Sequence, residues 1–323
     1  MTPWLRPTPA GRPYQQLART DVHRWWRPLV GLLLMTVLLV VGGLAFILGL
    51  ELISFATAHT WLEFGTGEHI FANDLADLMA TLGTIVVLLP AVWIVVLVVD
   101  RRGIGTLASV ARRIRWRWLA WCFLPAIAYM AAVYGASFGA DALGIGSNEA
   151  DTGSWVGWHA FWPPLLVIAL LVPFQAAAEE YVFRGWILQA VGSFTFEGRQ
   201  SRVGRLLGRV FGSAWPAIIL SAIPFVLGHG YTDWGPADIG AFAVATGWVV
   251  VLTGGLEAGI ALHIVNNVTS MSLDAAEGDV SLVQGAVPWT DVVVDVVPLA
   301  LWIALVVWLF RHTGSKRPMK RLS

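Results

Sequence analysis

Two adjacent carboxylates and one guanidinium, Glu179, Glu180 and Arg184, stand inside an otherwise apolar run that opens Gln175-Ala176-Ala177-Ala178. Charge in hydrocarbon is costly and marks function more often than packing. Glu180 and Arg184 are four apart on a helix, share a face and can pair. Glu179 is turned about 100° from Glu180, and its own fourth neighbour is the apolar Phe183. The spacing therefore makes Glu180 and Arg184 a clasp and leaves Glu179 for acid–base work. A single buried ionic network that only fixes packing is the plainer alternative.

A second run ends Phe225-Val226-Leu227-Gly228-His229-Gly230, with Pro224 just before it. The proline and glycines predict a loosened helix end, which is tolerated at membrane depth where it lines a cavity or is buried in protein. An interfacial histidine without further role reads equally well. A third run holds His263-Ile264-Val265-Asn266-Asn267. His263 and Asn267 share a face, and two donors side by side suit a developing oxyanion. They suit an interhelical hydrogen bond as well. Glu257 is less specific and is expected to cap its helix at the membrane surface. The whole set could activate a water and hold a tetrahedral intermediate. The same inventory would serve a proton-coupled carrier.

The elements that must position these groups are membrane spans. The 323 residues are 57% hydrophobic and 13% charged, with a mean hydropathy of +0.68. Soluble domains carry about 25% charged residues, so the composition is that of a polytopic membrane protein. Nothing in it points to a nucleic-acid partner. The 18 tryptophans cluster near the ends of apolar runs, where interfacial anchors belong. The lone cysteine, Cys122, excludes an intrachain disulfide.

The expected fold is all-α: a helical bundle of about eight spans, near residues 30–55, 79–99, 119–138, 165–191, 211–228, 239–252, 256–271 and 292–310. The first run is read as a transmembrane helix rather than a signal peptide, because its basic leader and apolar core are too long. With eight spans, 20 of the 21 Lys and Arg fall on one side, and Arg184 is the exception. Positive charge marks the cytoplasmic side, so both termini are expected there. The expected divisions are a basic, partly disordered tail at 1–28, a membrane domain at 29–310 with a catalytic core at about 160–270, and a second basic tail at 311–323. The 111–118 stretch, rich in Arg and Trp, is expected along the headgroups. Basic loops are expected around Arg101 and Arg102, and around Arg199, Arg202, Arg205 and Arg209.

Glu179-Glu180-x-x-x-Arg184, Phe225-x-x-x-His229 and His263-x-x-x-Asn267, in that order and each on its own span, resemble the three motifs of the CPBP family. These are the CAAX-protease and bacteriocin-processing (Abi) intramembrane endopeptidases. The resemblance covers about residues 160–270. It implies a multi-pass protease of the cell membrane, a bacterial plasma membrane here, that cleaves a membrane-associated or lipidated peptide or protein. By position, Glu179 would be the general base, His229 would help hold the water, and His263 and Asn267 would form the oxyanion hole. Glu180, Arg184 and Phe225 would support them. The family has also been described as metalloprotease-like. No metal is favoured here, because the chain lacks an HExxH signature; a zinc ion, if one bound, would use Glu179, His229 and His263. A non-catalytic scaffold or immunity protein on the same fold is a further alternative. The catalytic reading requires Glu179, His229, His263 and Asn267 to converge.

Overall fold

The computed structural model describes residues 4–57, 63–66, 69–144, 154–196 and 201–313. Arg199, Glu68, Glu149, Asp151 and the tail residues Lys316, Arg317, Lys320 and Arg321 lie outside them. The chain is built from helices: α1 (Arg27–Ala56), α2 (Asp74–Asp100), α3 (Trp116–Ala142), α4 (Trp158–Gly192), α5 (Arg202–Gly212), α6 (Trp215–Leu227), α7 (Gly235–Thr253), α8 (Glu257–Glu277) and α9 (Trp289–His312). Two short parallel strands, β1 (Thr232–Asp233) and β2 (Ala286–Val287), tie the segment after α6 to the segment before α9.

The outer surface is greasy. Along α1, Leu29, Leu32, Leu33, Val37, Val40, Val41, Leu44 and Leu48 are all exposed. An apolar face this continuous is not held against water; its solvent is hydrocarbon. The inward side of α1 carries glycines among larger residues such as Met35 and Leu50. A Cβ on Gly31 would meet the Trp186 ring, and one on Gly42 would meet Val87. Small residues let membrane helices approach closely where no hydrophobic effect drives them together.

Among the described residues, six helices are long and apolar enough to cross a membrane: α1, α2, α3, α4, α7 and α9. A seventh is added if α5 and α6, bent by 69°, count as one broken span. The expected eight spans differ from this at two places. The 211–228 span is cut short, since the 13 residues of α6 rise only about 20 Å against a hydrocarbon core of about 30 Å. The 256–271 span does form a helix, but a polar one. Residues 257–263 of α8 are all buried, so this stretch faces protein and needs no lipid-compatible surface.

One end of the bundle gathers the basic residues. Arg27 donates to Val99 O at 2.6 Å, Arg19 to Gly192 O at 3.0 Å, and Arg115 to Thr253 O at 3.0 Å. The starts of α1, α3 and α8 thus meet the ends of α2, α4 and α7. Several of these groups are more deeply seated than their charge suggests. Arg102, expected in an exposed loop, is buried. It pairs with Asp100 at 3.1 Å, donates to Thr106 Oγ1 at 3.0 Å, and also donates to Gln189 on α4. The N-terminal segment, expected to be partly disordered, is docked. Tyr14, Gln15, Gln16 and Leu17 are buried, and the Tyr14 hydroxyl donates to Leu107 O. Burial pushes the Tyr14 phenol well up, so it stays a neutral donor.

Glu257 is not a surface cap either. It is fully buried and accepts from Arg115 Nε at 2.8 Å, from Nη2 at 2.7 Å and from the Arg115 backbone N–H at 2.9 Å. This bidentate pair pins the start of α8 to the start of α3. The turn before it needs two glycines. Gly254 adopts φ +72°, and a Cβ on Gly255 would run into Glu257 Oε2 and Arg115 Nη2. Glu257→Gln keeps the shape and leaves Arg115 without its counter-charge. Breaking such a pair costs about 3–5 kcal/mol. The melting midpoint in mild detergent should fall by roughly 6–15 °C, and an unchanged midpoint contradicts the clamp.

Candidate functional site

The helix α4 carries Pro163, Pro164 and Pro173 and is α-helical through Glu180. From Tyr181 to Ile187 it widens into a π-type turn. Such turns recur at functional sites. Here the change of winding begins at the residue after the two carboxylates, and Arg184 lies within it. Arg184 Nη1 stands 3.1 Å from Glu180 Oε1, and both side chains are buried. The expected clasp is present.

The helix α8 runs antiparallel to α4, and the two meet in rungs. Gly259, His263 and Asn267 fall on one face at intervals of four. At the Gly259 rung, a Cβ would lie 2.6 Å from Glu180 Oε2, so only glycine lets this carboxylate approach. At the His263 rung, Nδ1 is 3.2 Å from Glu180 Oε1 and Nε2 is 3.4 Å from Glu179 Oε2. At the Asn267 rung, Nδ2 donates to Gln175 Oε1 at 3.1 Å. Asn266 Nδ2 in turn donates to Asn267 Oδ1 at 3.2 Å.

Both carboxylates therefore face one imidazole. A neutral ring carries one N–H and can donate to only one of them; the doubly protonated ring can serve both. Glu180 is also held by Arg184. Among the described residues, no aligned hydrogen bond reaches Glu179 Oε2. A buried carboxylate oxygen of this kind is costly unless it takes a proton or a water. The Arg184 guanidinium lies over the Phe225 ring, 3.8 Å from its centroid, with the Phe242 ring at 5.9 Å. Cation–π contact of this kind replaces water around a desolvated guanidinium.

His229 joins through Phe225. Its Nδ1 donates to Phe225 O at 2.7 Å, and its ring centroid is 4.5 Å from the Phe225 centroid. A carbonyl oxygen only accepts, so Nδ1 carries the hydrogen and Nε2 of the neutral ring keeps a lone pair. The His263 ring lies edge-on to the same phenylalanine, at 6.1 Å. The short α6 explains how His229 gets there. Its Ile218 neighbours Gly247 and thereby Leu188, in the basic half of the bundle. A helix of 13 residues starting there ends at depth. The bond of Gly230 N–H to Gln284 Oε1 at 3.1 Å and the β1–β2 pairing then hold the following loop.

Of the residues expected from sequence, Glu179, Glu180, Arg184 and His263 are in direct contact, and Phe225 and His229 are joined to them through ring faces. Asn267 sits one turn along α8 but bonds Gln175, which leaves one amide N–H for another acceptor. Gln175 was not singled out as a site residue; its signal was an amide in an apolar run, four residues before Glu179. The three groups considered for zinc do not fit it. Among the described residues, no group of three His, Cys, Asp or Glu side chains is arranged to hold a metal ion. Replacing Gly259 by Ala should drive Glu180 from its place and cost about 1–3 kcal/mol. Gly139→Ala, where a Cβ meets nothing within 4 Å, is the control. Thermal unfolding of the two variants side by side decides it: equal midpoints would contradict the tight Gly259 contact.

The match to known families falls on this zipper. Residues 159–269 match the family described as "Type II CAAX prenyl endopeptidase Rce1-like". The chain is also similar to "Uncharacterized protein YyaK" of Bacillus subtilis (strain 168), at 25% identity over 243 residues, 75% of each chain. No solved structure matches it.

Proposed function

Residues 159–269 belong to the Rce1-like type II CAAX prenyl endopeptidase family, the CPBP family, and from that premise we infer that the chain is an intramembrane endopeptidase whose base is Glu179. The observation that carries the reading is the contact of Glu179 Oε2 with His263 Nε2 at 3.4 Å, made inside the matched segment. Glu179 accepts a proton from water, and the resulting hydroxide attacks the scissile carbonyl carbon. His229 Nε2 accepts a hydrogen bond from that water and orients it. In its doubly protonated form the His263 ring donates Nδ1–H to Glu180 and aims its Nε2–H at the reacting atoms. That N–H and the remaining Asn267 N–H stabilise the oxyanion. The tetrahedral intermediate collapses with cleavage of the C–N bond, and Glu179 returns its proton to the leaving amine. Arg184 neutralises Glu180 throughout.

The substrate is a membrane-associated peptide or protein, with a lipidated chain end as one class. The enzyme sits in a bacterial plasma membrane with both termini cytoplasmic; the basic residues collected at one end of the bundle support that orientation.

Glu179→Gln keeps the shape and removes the base. Cleavage should fall by about 10²–10⁴-fold while the protein still melts cooperatively. Comparison of membrane-proteome cleavage products between wild type and Glu179→Gln gives the substrate and the test together. Products that persist unchanged in the variant would overturn the assignment.

A further inference from the structure

The helix α5 has no part in the chemistry above. Its sequence was expected to be a basic loop, yet Ser201 caps it by accepting from Gly204 N–H at 3.0 Å. It meets α6 at a 69° bend. Its protein-facing side is the glycine side: Gly204 is buried, and a Cβ on Gly208 would meet Phe196 O at 3.4 Å. Phe211 packs its ring 5.0 Å from that of Phe196.

The opposite side is divided lengthwise. On steps of about 100°, Arg202, Arg205 and Arg209 fall in one sector of about 60°. Leu206, Val210 and Val203 fill the next sector. All six are exposed, with Leu206 at 60% and Val203 at 66%. Residues 201–213 contain no Asp or Glu. An arginine row beside an aliphatic row on one exposed face suits neither water nor hydrocarbon. It suits the plane where they meet. The bend lays the helix across α6 rather than continuing it.

We propose that α5 is a docking surface for anionic phospholipid headgroups, with Arg202 and Arg209 on the phosphates and Leu206, Val210 and Val203 in the acyl boundary. The partner is anionic rather than zwitterionic because the helix brings arginines and no acid to offset them. The surface stands independently of the peptidase reading. Its consequence is mechanical: α5 leads directly into α6, which carries Phe225 and runs on to His229, so headgroup binding braces that helix from its start.

The test uses the full chain in nanodiscs, with Cys122→Ala and a nitroxide on Leu206→Cys, then on Val210→Cys. The two lipid compositions are phosphatidylcholine alone and phosphatidylcholine with phosphatidylglycerol. The oxygen-to-nickel-chelate accessibility ratio should rise several-fold when phosphatidylglycerol is added. Added R202Q/R209Q substitutions, or molar salt, should abolish that rise. Labels that stay water-accessible in both lipids overturn the proposal. Labels immersed equally in both overturn it too, because apolar burial alone would then hold the helix.

Discussion

The carboxylate of Glu180 is the point on which the site depends. It is fully buried and meets three residues at once: Arg184 on its own helix, and His263 and the bare backbone of Gly259 on α8. An unpaired charge at the centre of a span costs about 2.5–3.5 kcal/mol on insertion scales. That cost makes each partner obligatory. Arg184 supplies charge, His263 supplies a directed N–H, and Gly259 supplies room. Once Glu180 is so held, the imidazole of His263 has one orientation, and its second nitrogen faces Glu179. The contact between Glu179 and His263 is thus positioned by the neighbouring carboxylate of Glu180.

Much of this could be read from spacing. The intervals of four between Glu180 and Arg184, and between His263 and Asn267, placed each pair on one face, and the structure keeps them there. What spacing could not show was which face met which. Gln175 and Asn267 are 92 residues apart in sequence; their bond follows only once α4 and α8 are known to be antiparallel and in that register. The steric role of Gly259 is hidden for the same reason. The 100° rotation between Glu179 and Glu180 suggested separate partners, yet both reach His263, because a ring with two nitrogens can serve two directions.

Charge counting misled in a consistent way. It treats every arginine near a span end as belonging to a headgroup or to water. Arg102 and Arg115 instead turn inward to buried acceptors, and Glu257 receives Arg115 with no exposure of its own. The same counting put Arg202, Arg205 and Arg209 in a loop, where a helical period separates them cleanly from Leu206 and Val210. Hydropathy likewise measures what faces lipid, so it marked 256–271 as a span although the first turns of α8 face protein.

The placement of charges along the chain also bears on how the protein is made. The helix α4 leaves the ribosome before α8, since the chain is synthesised from its N-terminus. Glu180 meets its counter-charge four residues later on the same helix, so that pair can enter the bilayer already neutralised. Glu179 has no such companion in cis; the ring it touches arrives 84 residues on, at His263. Between those two moments Glu179 lacks the ring it touches in the folded chain. A carboxylic acid that keeps its proton enters hydrocarbon far more cheaply than its anion. The contact between Glu179 and His263 is therefore complete only once α8 has packed against α4.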